Sequence, residues 1–194
     1  MNENNQKSFF NSTYDQWKDI SEEKRKIITE TIKRLRIRKD CSVLDVACGT
    51  GVLYSALKYL KLESYTAIDI SENMLSELKR IYPEAETICT DFDKELQLAR
   101  QFDYIIIINS IPHFENLNVV FSNAKKHLKP GGTFSIVHAR SRKQLKEHHR
   151  KIGYNLGRNA IPDDETIMQL TALHSFKDTY IDDDEYFYFV CTKS

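Results

Sequence analysis

The sequence predicts an α/β protein: a mostly parallel seven-stranded sheet with helices on both faces, finished by an antiparallel hairpin at its C-terminal end. Three observations carry this. Five apolar runs of strand length alternate with segments of helical period. Most of those runs are continuously apolar rather than alternating, as parallel strands covered on both faces require. Finally, the end of the chain changes style. "FKDTYI" and "EYFYFVCT" are separated only by "DDD" (182–184), which reads as a turn between two antiparallel strands.

Each element has its own local reason. The first eight residues are polar and read as frayed. In "SEEKRKIITETIKRLRIRK", Ile28, Ile32 and Leu35 recur at helical spacing. "SVLDV" (42–46) is the first strand, and "GVLYSALKYLK" is the helix that follows it. "YTAIDI" (65–70) leads into "SENMLSELKRIY", where Ser71 is placed to cap the helix. "ETICT" (86–90) and "YIIIIN" (104–109) are the third and fourth strands. The helix in "NLNVVFSNAKKHLKPGG" stops at Lys-Pro-Gly-Gly, ahead of the fifth strand "TFSIVHA" (133–139). Ser141 and Gln144 form a capping-box pair that opens another helix, and one more is expected near 163–174.

Bulk properties narrow the function. The 194 residues suit one domain, and 41% hydrophobic content with ten Phe and ten Tyr can fill a core. Acidic and basic side chains balance at 28 each, against the basic excess of a dedicated nucleic-acid binder. Cys41, Cys48, Cys89 and Cys191 show no CxxC spacing, which fits a reduced, cytoplasmic protein. No run reaches membrane-spanning length, and "MNENNQKSFF" has no signal-peptide core.

The informative stretch is "VLDVACGTGVL" (43–53). A small-residue turn from a strand into a helix lets a ligand approach the backbone closely. A dinucleotide fingerprint would need glycine at Tyr54, and a P-loop would need Gly-Lys-Ser/Thr, so both phosphate readings fail. A carboxylate inside the loop, Asp45, instead suits an ammonium or sulfonium ligand. Asp69 ends the second strand, where a carboxylate can accept from both hydroxyls of a ribose. Asp91 and Phe92 follow the third strand and offer an acceptor beside an aromatic ring. The set outlines an adenosine bearing a cationic amino-acid tail.

On these motifs the sequence resembles a class I S-adenosylmethionine-dependent methyltransferase of the small bacterial, small-molecule type, with a Rossmann-like fold. The resemblance runs over nearly the whole chain. It implies that Asp45, Ala47, Cys48, Gly49 and Gly51 hold the methionine part, with Ala47 where glycine is commoner. It further implies Asp69 at the ribose, Asp91 and Phe92 at the adenine, Asn109 near the methionine part, and Ile70 and Met74 within the cofactor set. "FFNSTYDQWKDIS" resembles a lid, with Tyr14 and Trp17 as its covering aromatics. The implied layout is a single domain over 1–194, with 1–20 as lid and 140–174 as substrate-side cap. The implied cofactor is S-adenosylmethionine, leaving as S-adenosylhomocysteine. The partner would be a small-molecule substrate, with no nucleic acid and no membrane, in a monomer or homodimer.

The acceptor side rests on His113 after the fourth strand, His138 at the end of the fifth, and Arg142 and His149 on the helix that follows. With Leu145 and Ile152 as that helix's buried direction, His148 and His149 lie roughly 50° on either side. Lys143, Lys146 and Arg150 share an outward stripe. The histidines could act as general base, substrate anchor or metal ligands. Two other protein classes fit the same scaffold: a catalytically silent S-adenosylmethionine-binding protein and a metal-binding one.

Overall fold

The computed structural model describes residues 3–17 and 21–194. It divides into two compact units, residues 1–92 and 93–194. Their seven strands make up a mixed sheet, mostly parallel, with the antiparallel strands at the C-terminal end.

In the first unit, β1 (Ser42–Val46), β2 (Ser64–Asp69) and β3 (Glu86–Cys89) are parallel in the order β3-β2-β1. Every residue of β1 is buried, including the polar Ser42 and Asp45, whereas β3 keeps two exposed positions. Helices α2 (Glu22–Arg34), α3 (Val52–Leu57) and α4 (Glu72–Ile81) supply Ile28, Leu57 and Leu78 to the core around Leu44 and Ile68. Ser21 and Ser71 cap α2 and α4 by accepting from the amides of Lys24 and Met74.

The N-terminus departs from the frayed segment expected. Helix α1 (Glu3–Thr13) begins within the first eight residues. Lys7 Nζ pairs with Glu72 Oε1 at 3.0 Å, and Asn11 bonds to the N-terminal end of α4. Tertiary contacts order a stretch whose composition alone would leave it loose.

In the second unit the order is β4-β5-β7-β6, from β4 (Phe102–Ile108), β5 (Leu128–His138), β6 (Phe176–Asp182) and β7 (Phe187–Lys193). Strands β4 and β5 are parallel; β7 is antiparallel to both β5 and β6, as the short turn between the last two requires. The core is aromatic. Phe121 on α5 (Leu117–His127) meets Phe134 edge-on at 5.2 Å, and Phe134 meets Phe189 at 5.8 Å. Lys-Pro-Gly-Gly has a specific cause at Gly132, where a Cβ would fall 3.0 Å from the Phe102 carbonyl. The remaining helices are α6 (Arg142–Lys151) and α7 (Asp164–Leu173). Ser141 and Gln144 form the full capping box on α6.

His127 is a structural residue. Its Nδ1 lies 2.8 Å from the Asn123 carbonyl and its Nε2 accepts the Leu98 amide at 3.0 Å, which fixes the Nδ1–H tautomer. Burial lowers its pKa below 6.5, so its stabilising contribution is complete above that value and declines as pH falls below it. Replacing it with phenylalanine strands the Leu98 amide, a loss of about 1–3 kcal/mol. Thermal unfolding at pH 8 should show His127→Phe melting several degrees lower, with the gap to the parent protein narrowing at pH 5.

Candidate active site

The loop after β1 turns by way of left-handed residues at alternate positions: Ala47 (φ 54°), Gly49 (φ 54°) and Gly51 (φ 88°). A Cβ on Gly51 would also come within 2.9 Å of Leu78, so glycine is required there on two counts. Alanine is the smallest L-residue that can carry the strain at position 47. The Cys48 amide donates to the Ile68 carbonyl at 3.1 Å, which ties the loop to β2.

Asp69 organises this loop. Its Oδ2 accepts the Gly49 amide and its Oδ1 the Ser71 amide, both at 2.9 Å. Each oxygen keeps lone-pair capacity for a further donor, which is what two ligand hydroxyls need. Burial raises its pKa, while the amides of Ser71, Gly49 and Ile70 counteract that rise.

Asp45, at 2% exposure, accepts a 2.5 Å hydrogen bond from the Tyr65 hydroxyl. Burial lifts its pKa from 3.8 to about 7, with Tyr65 pulling down and the Asp69 charge pushing up. A buried carboxyl poised there gains most from a cationic ligand, which would hold it ionised. Tyr65 packs in turn on Tyr54 (centroids 4.5 Å), whose hydroxyl donates to Glu84 at 2.8 Å. The donor set therefore fits a group with a positive amino-acid end and a pair of hydroxyls.

The remaining residues expected at the cofactor in this unit follow β2 and β3 or lie in α4 and the N-terminal turn. Ile70 is half-buried after β2, and Met74 is buried in the first turn of α4. Asp91 is half-buried and Phe92 buried after β3. Tyr14 is half-buried in a 3-10 turn, Tyr14–Trp17, and the side chain of Trp17 lies outside the described residues. Before that turn, Asn11 Oδ1 accepts from the Ser71 hydroxyl at 2.7 Å and from the Asn73 amide at 3.3 Å. The Asn11 carbonyl accepts from the Asn73 side-chain amide at 2.9 Å. The stretch around Asn11 is thus latched to the turn that Asp69 holds.

In the second unit, Asn109 (φ 58°) stitches together the ends of β4 and β5. Its amide donates to the Val137 carbonyl at 2.8 Å, and its Oδ1 accepts the Ala139 amide at 2.7 Å. That bond fixes which way the carboxamide faces, and its NH₂ has no partner among the described residues. His138 is buried, with Nδ1 3.1 Å from both the amide and the carbonyl of Arg140.

His113, half-buried in a 3-10 turn (Ile111–His113), has its pKa lowered to about 4 by burial first, then by Arg158 and His149. Arg158 braces that turn by donating to the Pro112 carbonyl at 2.9 Å and the Phe114 carbonyl at 2.6 Å. His149 is half-buried, stands edge-on to Tyr154 at 4.9 Å, and also titrates low through burial, His148 and Arg140. His113 and His149 are therefore brought within electrostatic reach of each other.

Arg142 goes elsewhere. Its Nε donates to the Pro162 carbonyl at 2.7 Å, its amino groups pair with Asp164 (2.8 Å) and Asp183 (3.4 Å), and it stacks over Phe187. Those bonds join the start of α6 to α7 and the β6–β7 turn. Ile152 also departs from expectation. It lies just past the end of α6 and is 60% exposed, so Leu145 alone marks the helix's buried face. Lys143, Lys146 and Arg150 are exposed, as their stripe implied. Among the described residues no group of three or more His, Cys, Asp or Glu side chains could hold a metal ion.

Residues that sequence reasoning missed are Tyr65, Asn11, Arg140 and Arg158. Only Arg158 had a usable signal, as a single cation in the Gly-containing loop "YNLGRNA".

The strand order, the glycine loop after β1 and the carboxylates at its edge belong to a Rossmann-like α/β fold. Comparison with known proteins agrees with that fold: residues 43–132, just under half of the chain, match the Methyltransferase domain family. It is 29% identical over 124 residues to a malonyl-[acyl-carrier protein] O-methyltransferase of Priestia megaterium, covering 62% of this chain and 45% of that protein. The chain thus spans under half that relative's length. The fold resembles magnesium protoporphyrin IX methyltransferase of Synechocystis, solved with bound SAH (TM-score 0.74, 16% identity, 98% of this chain and 99% of that one). It also resembles a phosphoethanolamine N-methyltransferase of Haemonchus contortus, solved with phosphomonomethylethanolamine and S-adenosylhomocysteine (TM-score 0.69, 18% identity, 87% and 52%).

The Asp45 geometry has a measurable cost. Because the folded carboxyl titrates near 7 and the unfolded one near 3.8, the folded state holds an extra proton between those values. Stability therefore falls as pH rises through that window, and the penalty is complete above it. Asp45→Asn keeps an acceptor for Tyr65 and removes the buried charge. Its melting temperature should exceed that of the parent protein by on the order of 5 °C at pH 8 and match it near pH 4.

Proposed function

We propose that the protein is a cytoplasmic S-adenosylmethionine-dependent methyltransferase acting on a small molecule, with residues 1–194 working as one domain. The lid is 1–20 and the substrate-side cap 140–174. The observation that carries this reading is the loop at 47–51, clasped by Asp69 and backed by the Asp45–Tyr65 pair. Asp69 would receive the ribose hydroxyls and Asp45 the cationic methionine end. Ile70, Met74, Asp91 and Phe92 would enclose the adenine, and Asn109 would offer its free NH₂ to the methionine carboxylate. Tyr14 and Trp17 would cover the bound cofactor.

When bound, S-adenosylmethionine supplies a methyl group on a sulfonium centre, ready for in-line displacement. The protein's own task is then alignment and exclusion of water, which can contribute about 7–11 kcal/mol. His113, His138 and His149 form the proposed acceptor wall. With its pKa near 4, His113 is neutral at pH 7 and accepts a hydrogen bond, orienting the acceptor rather than storing its proton. We assign Arg142 to positioning, since its donors hold α7 and the β6–β7 turn. Four free cysteines among the described residues fit a reducing compartment, and no described helix is long and apolar enough to cross a membrane.

A metabolite screen with S-adenosylmethionine labelled on its methyl group tests this. Label should pass to a small molecule. Asp69→Ala should weaken cofactor binding by roughly 10–100-fold. His113→Ala should cut turnover while cofactor affinity stays within a few-fold. Unchanged binding in Asp69→Ala would contradict the assignment.

A further inference from the structure

The second unit carries several positive groups near His113, and they differ sharply from Arg142 in their pairing. Arg142 is neutralised by two carboxylates. Among the described residues Arg158 bonds only to main-chain carbonyls, those of Pro112, Phe114 and Asn159, so its charge is held in place but not cancelled there. The guanidinium of Arg140 has no hydrogen-bond or ion-pair partner among the described residues. The ring nitrogens of His149 have none either; that ring is fixed by its edge-on contact with Tyr154 and by α6.

These groups are close enough to act on one another. Arg158 and His149 both disfavour a proton on His113, and Arg140 and His148 both disfavour one on His149. Glu147, the one acid on α6, is exposed. An uncancelled positive field beside hydrogen-bonding imidazoles repels an ammonium and favours a bound anion. Guanidinium groups also match the planar fork of carboxylate and phosphate oxygens.

We propose that this cluster binds an oxyanion of the methyl acceptor, so that the substrate is a small carboxylate- or phosphate-bearing molecule held by Arg140 and Arg158 against His113 and His149. The inference deepens the proposed function and rests on it. Arg158 has the second task of bracing the turn that carries His113. Arg140 has no structural bond to lose through its side chain, which makes it the cleaner residue to change.

The test uses the full chain saturated with S-adenosylhomocysteine, following the ring-proton resonances of His113 and His149 assigned by His→Gln variants. Benzoate, phenyl phosphate and benzylamine are titrated separately, so that the same ring is presented with different charge. Benzoate, phenyl phosphate or both should shift the two resonances saturably at millimolar concentration or below, and the tighter of the two identifies the oxyanion. Arg140→Gln should weaken that binding about tenfold without lowering the melting temperature. Arg158→Lys should weaken it too, while keeping a charge near the Pro112 carbonyl. The proposal is overturned if benzylamine moves these resonances as readily as the anions, if neither anion moves them, or if Arg140→Gln leaves anion binding intact. Cofactor binding in the same samples separates the two claims. Loss of S-adenosylhomocysteine binding would count against the methyltransferase reading, whereas intact cofactor binding without anion binding would count only against this inference.

Discussion

The carboxylate of Asp69 accepts one amide from the glycine loop and another from the cap of α4, and the first unit's site is arranged around that pair of bonds. A loop with Ala47 in the left-handed region and two flexible glycines is costly to hold in one shape, through strain at Ala47 and lost chain entropy at the glycines. Two charge-assisted hydrogen bonds, donated by backbone amides to a buried carboxylate, offset that cost. Ser71 extends the arrangement. Its hydroxyl caps Met74 and also donates to Asn11, so the docking of α1 and the shape of the loop rest on consecutive bonds. Asp45 adds the complementary feature, a buried acid whose ionisation is unfavourable until a cation arrives.

The second unit solves a related problem with an amide. Asn109, itself left-handed, uses its carbonyl oxygen to clasp the turn out of β5 and so presents its NH₂ group in a fixed direction. Its other side chains divide by how their charge is handled. Arg142 and its two aspartates are structural and electrically closed. Arg158 is steadied by main-chain carbonyls and Arg140 has no side-chain partner among the described residues, and both stand near the neutral imidazoles of His113 and His149. A protein with zero net charge therefore concentrates uncancelled positive charge in one place.

Much of this was legible in the sequence because it depends on local pattern. Largely apolar runs gave β1 and β4, Ser141 and Gln144 gave the start of α6, and the glycine loop with Asp69 at the end of β2 gave the turn that the carboxylate clasps. The features that escaped depend on contacts between distant residues. Asp45 and Tyr65 are 20 positions apart, and nothing in "SYTAID" singles out a tyrosine that will donate to a buried acid. The polar N-terminus gave no sign that Asn11 would bond 60 residues away. Arg142 and Arg158 are alike as residue types, and only their partners assign one to the scaffold and the other to the proposed acceptor side.

The central claim is that the loop and its carboxylates hold a cation bearing two hydroxyls. Calorimetric titration with S-adenosylmethionine near pH 6.5, repeated in buffers of different ionisation enthalpy, tests it most directly because it counts protons exchanged on binding. If Asp45 receives the positive end, binding drives it from mostly protonated to ionised, and roughly three-quarters of a proton is released; the release should disappear in Asp45→Asn. Binding with no proton release in the parent protein, or no binding at all, would contradict the account.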